Sequence, residues 1–309
     1  MLLRRIIKNL IAAREEGSES RRVQLLEKQV EFLELELSRL GQIVRLLAAP
    51  VINDLPFARQ TRESFDFQWD LLPPGRYNLA NEDFRREAAG YVCEFTGLEP
   101  AWFQGKTVLD VGCGAGRYSW AMCTMGAHVL SIDQSPHGLA RCAEACKGFP
   151  QHRTRVVDLL EPLPIDERFD LVWSFGVLHH TGDTYGAFRR IAPLVKPGGW
   201  LFLMLYGEPR RNVLGDYEAV VEYETWRQRT RNLTMAERLK VVTEAMERRE
   251  FMVSGPLHVE GYFDAISPLI ADLYTFEEIK SWLIEAAFGE VRRTVETRNH
   301  HVVARKSQT

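Results

Sequence analysis

The apolar positions of this chain follow one period before residue 50 and another after residue 106. Val23, Leu26, Val30, Leu33, Leu37, Leu40, Val44 and Leu47 step by three and four without a slip. With Arg22, Glu27, Gln29, Glu34 and Glu36 on its flanks, that stripe is an a/d heptad seam. A lone surface helix shows a broader apolar face, so residues 23–47 predict self-association through a short coiled coil. Ahead of it, Leu3, Ile6, Ile7 and Leu10 recur at helical spacing among Arg4, Arg5, Lys8 and Arg14. Residues 1–16 thus predict a basic amphipathic helix, suited to a partner helix or to peripheral contact with an anionic membrane. Lys8 and Asn9 break its apolar run, which argues against a signal peptide. Pro50 and the Asn53-Asp54 pair end the arm.

Beyond residue 106 the pattern becomes short runs rich in β-branched and aromatic residues, at 107–112, 128–133, 155–158, 169–176 and 200–207. Helical stretches at 117–125, 135–147 and 184–195 separate them. This alternation predicts parallel strands with right-handed crossovers and helices on both faces of the sheet. A ligand of such a sheet lies outside the carboxyl ends of the strands, at the switch point.

Composition narrows the classes. The 309 residues allow one large domain or two smaller ones. With 45% hydrophobic and 26% charged residues the chain is not of the disordered kind. The 39 Lys and Arg against 42 Asp and Glu argue against a wholesale nucleic-acid binder, whose affinity rests on excess positive charge. The five cysteines, Cys93, Cys113, Cys123, Cys142 and Cys146, form no Cys-x-x-Cys pair. They read as reduced, buried thiols of a cytoplasmic protein, with no metal site.

The candidate chemistry gathers at the strand ends. The first strand runs into Asp110-Val-Gly112-Cys-Gly114-Ala-Gly116, where glycines let backbone approach a ligand and feed N–H groups into a helix start. Arg117 stands where a dinucleotide fingerprint has its third glycine. Asp133 ends the second strand about 20 residues after the turn, where an acid can take both ribose hydroxyls. Asp158 follows the third strand, and FDLVWSFGVLHHTGD spans the fourth.

In that combination the chain resembles the class I S-adenosylmethionine-dependent methyltransferases over residues 84–306. The likeness extends through LVKPGGWLFL and YTFEEIKSWLIEAAFGEV to final strands at 290–298 and 301–305. It implies an α/β, Rossmann-like, doubly wound sheet of seven strands behind an N-terminal helical, coiled-coil arm. The arm would be residues 1–50, a linker and active-site lid 51–83, and an acceptor-side insertion 208–274 would interrupt the methyltransferase domain. The implied cofactor is S-adenosylmethionine. Asp110, Gly112, Gly114 and Gly116 would hold its methionine part, Asp133 its ribose, Gln134 its adenine ring, and Asp158 with Leu159 the adenine amino edge. Phe175 and Gly176 would line the sulfonium. Arg85 would face the cofactor carboxylate, or else be one charge on a solvated helix.

SFDFQW (64–69), GVLHHTGD (176–183) and DAISP (264–268) are similar to methyltransferases of bacterial biosynthetic clusters. Many of that subgroup carry a zinc ribbon ahead of the SFxxQW segment; this chain has no cysteine before Cys93 and has the heptad arm instead. The implied activity is O- or N-methylation of a small-molecule or sugar acceptor. A tRNA-modifying methyltransferase, or a scaffold that binds the cofactor and docks a complex through the arm, are the alternatives. A hydroxyl acceptor needs a base, and His179 and His180 follow the fourth strand. Trp69, Tyr77, Tyr206, His258, Tyr262 and Asp264 are the candidates for the acceptor side. From Gly207 to Pro256 nine Lys and Arg face nine Asp and Glu, which is no plain basic patch for RNA.

Overall fold

A computed structural model describes residues 20–47, 56–71, 79–251 and 258–308. The expected membrane-facing helix at 1–16 and the acceptor candidate Tyr77 lie outside them. The described residues form two compact units, one gathering those before Gln60 with Pro209–Ser267, the other Gln60–Glu208 with Pro268 onward.

The second unit is built on a seven-stranded sheet in the order β3-β2-β1-β4-β5-β7-β6. Its strands are β1 (Thr107–Val111), β2 (His128–Asp133), β3 (Arg153–Val156), β4 (Phe169–Phe175), β5 (Val195–Leu205), β6 (Phe288–Glu296) and β7 (His300–Lys306). The first five run parallel, while β7 pairs antiparallel with both β5 and β6. Such a sheet is covered on both faces, and the period-two alternation of the strands divides the core accordingly. Leu109, Val111, Leu130 and Val172 pack with Phe188, Ile191, Ile279 and Leu283 on one side. Val108, Val129, Leu171 and Trp173 pack with Phe84, Val92, Ala121 and Met122 on the other.

The covering helices start where the chain supplies caps. Helix α2 (Pro56–Leu71) begins outside this unit and crosses into it. Asn81 caps α3 (Glu82–Thr96), and Gly116 opens α4 (Arg117–Thr124). Ser135, followed by Pro136 at the first helical position, caps α5 (Pro136–Ala145). Asp183 caps α6 (Thr184–Ile191).

In the first unit, α1 (Ser20–Leu47) packs on α7 (Leu214–Thr230): Phe32 meets Tyr217 edge-on at 6.0 Å and Gln29 donates to the Arg211 carbonyl. Helices α8 (Met235–Glu247) and α9 (Val259–Ile266) follow, α8 opening on a Thr234/Glu237 capping box. Buried Arg238 is satisfied by the carbonyls of Leu233, Arg231 and Ser267. The heptad positions Val23, Leu26, Val30 and Leu33 are half-buried. Leu37 and Leu40, further along the same stripe, are 60% and 55% exposed. In the second unit the Thr275/Glu278 capping box starts α10 (Phe276–Glu285), which leads into β6. Among the described residues no helix is long and apolar enough to cross a membrane.

Candidate cofactor-binding site

The turn after β1 is shaped by three glycines with positive φ, Gly112 (71°), Gly114 (51°) and Gly116 (81°). None has room for a side chain. A Cβ would lie 2.3 Å from Val177 at Gly112, 2.5 Å from the Trp69 ring at Gly114, and 2.8 Å from the Cys142 backbone at Gly116. Only a chain without side chains can follow this path. Asp133, at the end of β2, locks the turn to the neighbouring loop. One of its carboxylate oxygens accepts from the Gly114 N–H (2.9 Å) and the other from the Ser135 N–H (2.8 Å). Burial raises its pKa, against the opposing pull of those N–H groups.

Asp110 points beneath the turn. It is buried and accepts from the Ser119 hydroxyl at 2.5 Å, and burial pushes its pKa up to about 7. Ser119 continues to Ser131 (2.7 Å), which contacts His152 Nε2 (2.8 Å). Cys142, Cys146 and His152 come together beside this chain, their ligand atoms within 4.8 Å of one another. All five cysteines are free thiols, four of them buried.

Strands β1 and β4 are neighbours, and from them the chain leaves toward opposite sides of the sheet. The crevice above this pair is the switch point. At the end of β4, Phe175 lies half-buried, stacked on Phe95 (5.5 Å) and tilted against Tyr118 (4.9 Å), with the Arg117 guanidinium over its ring. Gly176 has φ of 76° and Val177 fills the space against Gly112. His179 and His180 then form a short 3-10 turn. His179 is fully buried, and neither ring nitrogen finds a hydrogen-bond partner among the described residues. Burial, with the neighbouring His180, holds its pKa well below the usual range and keeps it neutral. Its ring lies 3.9 Å from that of Tyr206, at the end of β5. His180 Nδ1 is 2.5 Å from the Ile270 carbonyl oxygen.

Helix α2 bridges these loops. Arg62 pairs with Asp158 past β3 (3.6 Å), Phe65 meets the His180 ring edge-on at 5.0 Å, and Asp66 accepts from the Ser135 hydroxyl at 2.6 Å. The Asp70 carbonyl accepts from Arg141, and Trp69 lies on Gly114 and Gly138. Thr61 and Gln60 accept from the backbone N–H groups of Ile270 and Leu269.

A family model described as a methyltransferase domain matches residues 109–201, the stretch from β1 into β5 that carries the glycine turn, Asp133, Asp158 and the two histidines. Over that stretch the chain is similar to the methyltransferase domain. The family uses S-adenosylmethionine, and the residues present fit it: a side-chain-free cradle after β1 and an acid at the end of β2. The chain is 31% identical over 159 residues to a ubiquinone biosynthesis O-methyltransferase of Rhodopseudomonas palustris, covering 50% of this chain and 60% of that protein. A protein of the same name from Pseudomonas paraeruginosa is 38% identical over 109 residues, 34% of this chain and 46% of its own length. The chain thus spans less than two thirds of the curated relatives it matches. Among solved structures, the magnesium protoporphyrin IX methyltransferase of Synechocystis with bound S-adenosylmethionine aligns with 84% of this chain and 100% of its own, at a TM-score of 0.48 and 16% identity.

Of the expected site residues, Asp110, Gly112, Gly114, Gly116, Asp133, Phe175 and Gly176 lie at the carboxyl ends of β1, β2 and β4, along one edge of the sheet. Asp158 stays at its outer end, half-buried and held by Arg62, beside buried Leu159; Gln134 is exposed. Arg85 is exposed on α3 and its guanidinium folds back to the Leu79 carbonyl. Tyr206 stands with the histidines. Trp69, expected on the acceptor side, lies against Gly114 and Gly138. His258, Tyr262 and Asp264 belong to the helical unit. There His258 caps α9 by accepting from the Gly261 N–H, and buried Tyr262 stacks on Phe251 at 3.9 Å. The sequence assigned no role to Arg62, nor to Ser64, Asp66 and Gln68 within SFDFQW. Their signal was present: Thr61, Ser64 and Gln68 put a polar stripe at helical spacing beside Phe65 and Trp69.

Proposed function

We propose that the chain transfers a methyl group from S-adenosylmethionine to a hydroxyl group of a small molecule. The observation that carries this reading is His180. Its Nδ1 faces a carbonyl oxygen, which can only accept, so the ring proton sits on Nδ1 and Nε2 holds the lone pair. That is the tautomer of a general base. Bound S-adenosylmethionine supplies a methyl carbon on a positively charged sulfur. His180 Nε2 would take the proton of the acceptor hydroxyl, freeing the oxygen to receive that methyl group. Neutral His179 and Tyr206 wall this side, and the remaining contribution is alignment of the reacting atoms.

The names of the curated relatives support a small-molecule hydroxyl as acceptor. The even charge of Gly207–Pro256 counts against RNA. The exposed Leu37 and Leu40 on the heptad stripe support self-association of α1 with a second copy. Transfer of labelled methyl to phenols, sugars and tRNA tests the reading. Label is expected in a hydroxylated small molecule, and His180→Ala should lower kcat by about 10²–10⁴ while S-adenosylhomocysteine still binds. Label in tRNA alone, or an unchanged kcat in the variant, would overturn it.

A further inference from the structure

Helix α2 is amphipathic in an inverted sense. Thr61, Ser64 and Gln68 are 1%, 0% and 4% exposed, whereas Leu71 is 61% exposed. Burying a polar stripe costs free energy unless something on the other side answers it. Thr61 is answered by the Ile270 N–H. Gln68 is not: its side-chain carbonyl Oε1 is buried with no hydrogen-bond partner among the described residues. A buried amide oxygen left this way is unfavourable, so a missing donor is implied.

The helix geometry says where that donor is. Phe65 touches His180 in the loop after β4, and Trp69 touches Gly114 in the turn after β1. Gln68 is one turn beyond Phe65, on the buried stripe it shares with Thr61 and Ser64, and next in the chain to Trp69. Its two neighbours on the helix thus bring it close to the loops that follow β1 and β4.

We propose that Gln68 is a cofactor-binding residue whose Oε1 accepts a hydrogen bond from the α-ammonium group of S-adenosylmethionine. The inference rests on the methyltransferase reading above. The cofactor carries three kinds of donor: ribose hydroxyls, the adenine amine and the ammonium. Asp133 stands at the end of β2 for the first, and Asp158 lies past β3 for the second. The ammonium belongs to the methionine part, at the glycine turn, and it is the donor left for an acceptor placed between Phe65 and Trp69. Helix α2 would thereby read the amino-acid end of the cofactor as well as cover it.

The test compares S-adenosylhomocysteine, which keeps the ammonium, with 5′-methylthioadenosine, which lacks the amino-acid part, by calorimetry on the full chain. Gln68→Leu, close in size, should weaken S-adenosylhomocysteine at least tenfold and leave methylthioadenosine within twofold of wild type. Gln68→Glu, which keeps an acceptor oxygen, should retain the preference for S-adenosylhomocysteine. Equal weakening of both ligands in Gln68→Leu would reduce Gln68 to a packing role and overturn the proposal, as would no change in either. If wild type bound neither ligand, the methyltransferase reading itself would fall, an outcome separable from a wild type that binds both.

Discussion

The glycine turn after β1 and helix α2 face the same crevice, yet different forces hold them. The turn is fixed by exclusion, because every one of its glycines meets another atom where a Cβ would be. Helix α2 is held by separate polar contacts, among them a half-exposed ion pair from Arg62 to Asp158 and a hydrogen bond from Ser135 to Asp66. Contacts of that kind contribute roughly 0–1.5 kcal/mol each. The turn thus leaves no room for a side chain, whereas α2 rests on contacts that can be removed one at a time.

The contrast can be broken from either side. Gly116→Ala should do the most damage, since its Cβ would lie 2.8 Å from the Cys142 backbone at a φ of 81°. A loss of about 2–4 kcal/mol is expected, read as a lower urea midpoint. Asp110 gives a pH signature of comparable size. Its folded pKa of about 7 lies above the ordinary 3.8, so between those values the native state holds a proton that the unfolded chain has released. Its contribution to stability therefore falls as pH rises from about 4 to about 7, by on the order of 4 kcal/mol at most. Asp110→Asn should flatten that dependence in thermal melts across the same interval.

On the other side, Asp66→Ala should cost about 1 kcal/mol, seen as faster dissociation of S-adenosylhomocysteine with little change in melting temperature. Arg62→Ala should have the smallest effect, at most about 0.5 kcal/mol and vanishing at high salt. If Arg62→Ala matched Gly116→Ala, helix α2 would be part of the rigid frame.

Much of the sheet was legible because its central strands are continuous apolar runs ending in functional residues. The misplacements have local causes. The third strand was expected at 155–158 and lies at Arg153–Val156, because an edge strand alternates and its Val156 is 60% exposed. The fifth starts at Val195 rather than at 200. Lys-Pro-Gly-Gly reads as a turn, but Gly198, at a φ of 73°, and a register shift against β4 carry it through the strand. The glycine turn and Asp133 were legible because their chemistry is local in the chain. Helix α2 was not, since its partners are Gly114, Ser135, Asp158, His180 and Ile270, and a polar stripe shows whether it faces water or a ligand only once the fold is known.

The most direct measurement is calorimetric titration of S-adenosylhomocysteine into wild type and Asp133→Ala. Micromolar binding to wild type, weakened at least thirtyfold in the variant, is expected, because Asp133 locks the turn through Gly114 and is the acid proposed to take the ribose hydroxyls. Equal affinity in the two proteins would contradict the assignment of this crevice to S-adenosylmethionine.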